Sequence, residues 1–417
     1  MKTIRIGIFG TRRGDSYVKN ILMNNGEVVA LCDKDEKYLK KSQEKLGGDV
    51  AVYTDFDEFI KHPMDACLIA NYFHEHSEYA IRCLEKNINV LCECTSNSTM
   101  AEGVKLVRAS EKSKAIFMLA ENYPFMLFNQ EIKKVYEGGT LGKVLYAEGE
   151  YNHPTNLYNT DDLSLFFDSE KHWRLFLPKT YYITHSLAPL MYATGSRPVK
   201  VVAMPVFAPE PKDTPRAGNV GDVAAVMLIT NDDNSVFKVT GHSTFGAEEN
   251  SYRIMGKRGQ IENMRGNADT IILNYNDWEV PEGKSHHNTY KVEIDEENVE
   301  FIKKAGHGGG DYFVVKKFFE CIREGKSPEM DVYFATKLAS VAILAHRSIL
   351  NGSMPYDIPD FRREEDRKQF ENDKDSPFWY SDGRAPTIAC CSRPEFKPTE
   401  EQIKKFKKAL KEDYDNK

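Results

Sequence analysis

A chain of 417 residues exceeds what one ordinary core uses and suits two domains, with room for a tail. Hydrophobic residues at 41% and charged residues at 29% belong to a folded globular protein rather than a disordered one. The net charge of −7, with its signs interspersed, offers no basic footprint for nucleic acid or an anionic membrane, so neither partner is expected.

The amino terminus, "MKTIRIGIFG", enters a strand pattern at once, from which no signal peptide and a cytoplasmic setting are expected. No apolar run approaches the roughly 20 residues that span a bilayer. The eight cysteines lack paired CxxC spacing, so reduced thiols are expected and structural zinc is not.

Over the first 120 or so residues, short apolar runs alternate with amphipathic stretches. "IRIGIF", "VVALCD", "ACLIA", "NVLCE" and "AIFMLA" have the composition of strands buried on both faces. Between them, "SYVKNILMNN", "EKYLKKSQEKLG", "HSEYAIRCLEKN" and "AEGVKLVRASEKS" carry apolar residues at helical spacing. This alternation predicts a doubly wound parallel sheet of α/β class. After one more helix, "LFNQEIKKVYEGG", the character changes. "KVLYAEGEYNH", "VKVVAMPVF", "VAAVMLIT", "VFKVTGHST" and "TIILNY" read as strands without regular helices between them. They predict an α+β domain with a large, mostly antiparallel sheet open on one face, and that face suits contact between copies in a dimer or tetramer. Two helices follow, then an irregular tail rich in Pro, charge and aromatics, then a lysine-rich helix. The expected organisation is a dinucleotide-binding domain over 1–122, a substrate and dimerisation domain over 123–358 and an extension over 359–417.

"IGIFGTRRGDSY" is a strand turning into a helix, with Gly10 at the bend. A dinucleotide turn needs a tight bend, close backbone approach to a pyrophosphate and a helix N-terminus aimed at the anion. Gly10 fits the first role. In a G-x-G-x-x-G pattern the second glycine is Arg12 here and the third is Asp15, with Gly14 one place early. Arg12 and Arg13 are candidates to meet phosphate directly. Asp33 ends the second strand, where a carboxylate accepts from the adenosine ribose and repels a 2′-phosphate. NAD is therefore the expected cofactor, although Lys34 beside it works in the opposite direction. The competing reading is a tight strand–helix turn that binds nothing.

The order of these motifs resembles the glucose–fructose oxidoreductase/inositol dehydrogenase family (Gfo/Idh/MocA), to about residue 360. "DACLIANYFHEHSEYAI" is similar to that family's strand-to-helix segment, with Asn71 at its start and His76 at its histidine. In "VLCECTSNSTMAEG", Glu93 matches a glutamate that the family follows with lysine and proline, whereas here Cys94 and Thr95 follow. "LAENYPFM" places Asn122 at the family's asparagine near the nicotinamide, with Tyr123 next to it. The resemblance implies a Rossmann domain that holds NAD through these positions. It implies also that acid–base work has left position 94, because a thiol cannot supply the lysine's charge.

"YYITHSLAPL" sets His185 among small and apolar residues at the start of a helix. The family commonly has aspartate-x-glycine-x-histidine there. Tyr181 takes the aspartate position, and "YITH" is closer to the branch of NAD-dependent α-N-acetylgalactosaminidases. The resemblance implies that His185 takes the carbinol proton, a role suited to a group with a pKa near 6.5. Tyr182 would share that proton or bind the reacting oxygen. The alternatives stay open: a satisfied core histidine and a tyrosine bonded to backbone.

His153, at a strand end in "EYNHP", is a candidate for sugar hydroxyls or a simple turn residue. Trp173 and Arg174 in "KHWRLF" offer an indole face and a forked donor, or else a packing pair. Tyr123 completes the candidate substrate contacts. "HEH" and "HH" lack carboxylate or cysteine partners at ligand spacing, so no metal is expected. "GHGGGD" (306–311) follows no strand and is expected to be a pliant helix start, with His307 near the cleft. The first functional reading is an NAD-dependent oxidoreductase acting on a sugar or sugar derivative at a ring carbinol. A glycosidase or lyase that uses the same oxidation transiently, with recycled NAD, comes second. An inactive dinucleotide-binding regulator comes third.

Overall fold

The computed structural model describes residues 2–154, 167–242 and 245–415. Its first sheet has six parallel strands: β1 (Ile4–Phe9), β2 (Gly26–Cys32), β3 (Ala51–Tyr53), β4 (Ala66–Ile69), β5 (Asn89–Cys92) and β6 (Phe117–Leu119). Their order is β3-β2-β1-β4-β5-β6. The chain winds outward from β1 in both directions, so a crevice opens where β1 and β4 separate at their carboxyl ends. Ile4, Ile6 and Ile8 of β1 and all four residues of β4 are buried, as strands covered on both faces must be. The covering helices are α1 (Thr11–Met23), α2 (Glu36–Lys45), α3 (Phe56–Phe59), α4 (His76–Glu85) and α5 (Met100–Lys112).

Two glycines let α1 sit close to the sheet. Gly10 has φ 94, and a Cβ there would stand 2.3 Å from the Ala70 carbonyl oxygen. A Cβ on Gly14 would stand 2.3 Å from Cγ2 of buried Ile8. Helix–strand packing, the role of the third glycine in a dinucleotide turn, falls to Gly14 although it is one place early.

After α6 (Leu127–Glu137) the second sheet begins with β7 (Val144–Asn152). Then come α7 (Ile183–Thr194), β8 (Pro198–Phe207), β9 (Asp222–Asn231), β10 (Val236–His242), β11 (Glu249–Gly256), β12 (Gly259–Met264), β13 (Asn267–Tyr275) and β14 (His287–Lys291). The remaining elements are α8 (Val299–Lys304), α9 (Gly310–Glu324), α10 (Val332–Leu350), β15 (Tyr356–Asp357), α11 (Glu364–Phe370) and α12 (Glu400–Asp415). Nine strands run in the order β14-β13-β12-β11-β7-β10-β9-β8-β15, and only the β7–β10 pair is parallel. The strand read from "VFKVTGHST" closes at His242, and its Ser243 and Thr244 lie outside the described residues. Five strands not anticipated, the three-residue β3 of the first sheet and β11, β12, β14 and β15 of the second, are polar or very short. Their pairing comes from neighbours rather than from their own alternation.

Helices α6, α7 and α10 cover one face of this sheet. Among the described residues, no helix is long and apolar enough to cross a membrane. The tail returns across the body. Arg347 of α10 holds Asp373 through two parallel hydrogen bonds of 2.5 Å. Phe378 is fully buried between Tyr181 and His74, and the Trp379 carbonyl meets His74 Nε2 at 2.8 Å. Phe406 of α12 packs against Phe167 and Leu175.

Candidate active site

A cleft of about 1380 Å³ runs along the carboxyl ends of β1, β2 and β4 toward the second sheet. Gly10, Arg12, Asp33, Asn71 and Tyr72 line one side, and Asp168, Trp173 and Arg174 line the other. Asp33 Oδ2 accepts from the Thr11 backbone N–H at 2.6 Å and from the Thr11 hydroxyl at 2.8 Å. The carboxylate expected to read the ribose thus also fixes the first residue of α1. Asn71 Oδ1 is buried and has no hydrogen-bond partner among the described residues. A bare glycine bend, an unused buried acceptor and a carboxylate at the end of β2 together fit a dinucleotide. The second domain reaches across: the Tyr72 hydroxyl donates to Asp168, and Lys34 Nζ lies 3.6 Å over the Tyr72 ring and 3.8 Å from Asp168.

Four expected ligands have other partners. Arg13 lines the cleft, and its Nε stands 2.5 Å from Glu93 Oε1. Glu93 also accepts from the Tyr17 hydroxyl at 2.7 Å and the Cys94 N–H at 2.9 Å. A carboxylate this deep needs a cation. Burial works against its charge, yet Arg13 and Tyr17 hold it below the usual carboxylate range. His76 is buried between the carbonyls of Thr95 (2.9 Å) and Asn71 (3.3 Å), and burial pushes its pKa down. It pins the two strand exits and does not line the cleft. Trp173 lines the cleft but also stacks on Phe73 at 4.9 Å, with Arg174 4.5 Å over its ring, as in the packing-pair alternative. Arg12 remains at the cleft, over Tyr38 at 4.1 Å and 3.5 Å from Asp35.

Beyond Arg174 lies a cluster that the sequence reading only half anticipates. His185 enters on the first turn of α7, and its Nδ1 is 2.8 Å from Oε1 of Glu121, a residue with no solvent exposure. The Tyr123 ring stacks on the imidazole at 4.3 Å, and Tyr151 stands at 4.7 Å. The imidazole keeps 19% exposure. Glu121 also accepts from the Tyr123 N–H at 3.2 Å and from Cys94 Sγ at 3.1 Å. Burial pushes the Cys94 thiol well up, so it stays protonated and donates. Tyr182 stacks on Tyr151 at 5.7 Å, and its hydroxyl accepts from Arg174 at 2.7 Å. His153 is half exposed beside Glu248 at 3.2 Å. Asn122, expected near the nicotinamide, donates to Asp311 at 2.6 Å.

With Nδ1–H given to a carboxylate, His185 presents Nε2 as its basic nitrogen. Glu121 and Tyr151 are the residues the sequence reading missed. Glu121 had one signal: a charged residue directly after a buried strand, where only function or pairing tolerates it.

Residues 4–121 match the oxidoreductase family with an NAD-binding Rossmann fold (Gfo/Idh/MocA). Residues 181–368 match the C-terminal domain of glycosyl hydrolase 109. The chain is a Gfo/Idh/MocA-type, NAD-dependent enzyme with a glycosyl hydrolase 109 C-terminal domain. A glycosyl hydrolase family 109 protein of Porphyromonas gingivalis is 27% identical over 407 residues, covering 87% of this chain and 85% of its own. A second, from Bacteroides thetaiotaomicron, is 26% identical with the same coverage. Levoglucosan dehydrogenase in complex with NADH and levoglucosan shares the fold, with TM-score 0.71 and 18% identity over 86% of this chain and all of that one.

Replacing Asp33 by alanine removes charged acceptors worth about 1.5–3 kcal/mol each. NAD affinity in calorimetry should fall by roughly 10–100-fold, and discrimination against NADP should shrink. A wild-type preference for NADP would overturn this role for Asp33.

Proposed function

We propose that the enzyme oxidises a ring carbinol of a sugar glycoside with NAD, and that His185 moves the proton. The carrying observation is the His185–Glu121 pair, which fixes the tautomer and leaves Nε2 at the substrate side. Gly10, Asp33 and Asn71 hold the dinucleotide, which supplies a hydride acceptor when bound. His185 Nε2 takes the carbinol proton, and the Glu121 carboxylate holds the ring at Nδ1 through the transfer. Tyr182, its hydroxyl already accepting from Arg174, positions the reacting oxygen. Tyr123 and Tyr151 keep bulk water from the imidazole, and His153 at the rim suits an outer hydroxyl.

The net outcome favoured is glycoside cleavage with the hydride returned. Its support is that the domain supplying His185 and Tyr182 is of the glycosyl hydrolase 109 kind. Net oxidation of a sugar, as in levoglucosan dehydrogenase, is the second reading. The regulator reading loses its ground, since Gly10 and Gly14 fill structural roles that the broken glycine pattern had put in question.

The test is a panel of p-nitrophenyl glycosides, N-acetyl-α-galactosaminide among them, given to enzyme loaded with NAD and freed of excess. Phenol release over many turnovers without lasting NADH supports cleavage, whereas NADH equal to product supports net oxidation. His185→Asn should lower turnover by roughly 10²–10⁴-fold with NAD affinity nearly unchanged. Cys94→Ser, which still offers Glu121 a donor, should keep most activity. Early melting with normal turnover per folded His185→Asn molecule would mark the histidine as packing.

We propose also that two copies pair through the open sheet face. Met204 of β8 and Leu228 of β9 point away from the helices and are 63% and 47% exposed. Beside them lie the pairs Lys238–Glu148 at 3.0 Å and Arg265–Glu150 at 2.8 Å. Leu228→Glu should reduce the mass found by light scattering to that of one chain, and a monomeric wild type would sink the idea.

A further inference from the structure

The run "GHGGGD" has no task in the chemistry above, yet the fold seats it at the reacting end. Gly308 and Gly309 take left-handed conformations, φ 56 and 94, just ahead of α9. A Cβ on Gly310 would stand 2.6 Å from the Asn122 carbonyl oxygen, so the run lies hard against the exit of β6. His307 Nδ1 is 2.9 Å from Asp311 Oδ2, and Asp311 Oδ1 accepts from Asn122. The His307 ring stands 6.0 Å from the Tyr123 ring, on which His185 stacks. Two imidazoles from different elements therefore contact one tyrosine, each held at Nδ1 by a carboxylate. The His307 side chain keeps 38% exposure. Its Nε2 has no hydrogen-bond partner among the described residues.

Glycoside cleavage through a ketone needs more than one proton carrier. Once C3 is a ketone, the C2–H bond is acidified and the C1–O bond lies β to the carbonyl. His185 Nε2, having passed the carbinol proton to solvent, takes the proton from C2. The C–H electrons form a C1=C2 double bond, and the C1–O bond breaks with its electron pair on the departing oxygen. That oxygen needs a proton at the moment when His185 is receiving one. We propose that His307 Nε2–H supplies it. Water then adds across C1=C2: its hydroxyl joins C1, its proton returns to His307, and His185 gives its proton to C2. Both histidines end as they began. This inference rests on the glycoside-cleavage reading.

The surroundings suit an acid. The hydrogen bond to Asp311 raises the His307 pKa, burial opposes it, Arg13 lowers it and Glu93 raises it, with a net upward shift. The same pair holds Asp311 below the usual carboxylate range in spite of its burial.

The experiment compares two glycosides of the sugar that the panel selects, using NAD-loaded enzyme. One carries p-nitrophenol, a leaving group that needs little help, and the other carries methanol, which needs a proton. His307→Gln should cost roughly 10²–10⁴-fold on the methyl glycoside and only a few-fold on the p-nitrophenyl one. Asp311→Asn should move the alkaline limb of methyl glycoside turnover to lower pH, because the imidazolium loses the partner that favours it. That variant also serves where His307→Gln fails to fold. Equal losses on both glycosides, or an unmoved limb, overturn the assignment while leaving glycoside cleavage intact. Wild-type enzyme that releases no phenol and accumulates NADH overturns both.

Discussion

A carboxylate with no exposure to solvent sits at the exit of β6, and the reacting end of the molecule is arranged around its charge. Glu121 accepts from an imidazole, a backbone N–H and a thiol. An unpaired carboxylate at that depth costs several kcal/mol, and neutral donors alone repay only part of it. His185 Nδ1, at 2.8 Å, makes the shortest of these contacts, and the carboxylate fixes the ring through that nitrogen.

The fold explains why these groups meet. β6 is one of the two edge strands of the parallel sheet, and Glu121 and Tyr123 at its exit meet His185 of α7. Helix α7 lies on the covered face of the larger sheet, over β7 and β10, and starts where that sheet faces the cleft. The Tyr252 hydroxyl of β11 donates to the His185 carbonyl at 2.6 Å, tying the first turn of α7 to the sheet beneath it. A Cβ at Gly149 would stand 2.0 Å from the Ser186 carbonyl oxygen, so β7 and α7 approach at backbone distance. Contact this close leaves the first turn of α7, and His185 with it, little room to shift.

Much of this was legible in the sequence, and the reasons for the rest are physical. The alternation of buried strands and amphipathic helices predicts the parallel sheet because each periodicity is local. His185 was readable from "YITH". Glu121 was harder: its partners lie 27 and 64 residues away in Cys94 and His185, and no spacing rule links them. Arg13 and Glu93 pose the same difficulty. Each has the chemistry of a cofactor ligand, and only the fold reveals that they satisfy one another. Trp173 has the composition of a sugar platform, but Phe73, a hundred residues earlier, is its partner.

The exchange of lysine for Cys94 follows from the same carboxylate. In the pattern that the chain resembles, the residue after the Glu93 position is a lysine. An ammonium at the place of the Cys94 thiol, 3.1 Å from Glu121, would neutralise the carboxylate directly. Glu121 would then be paired with that ammonium rather than shared between His185 and neutral donors. A thiol pushed up by burial does the opposite: it fills one acceptor position and leaves the charge for the imidazole. The thiol at 94 and the carboxylate-held histidine at 185 meet on one buried carboxylate, which ties the exit of β6 to the first turn of α7.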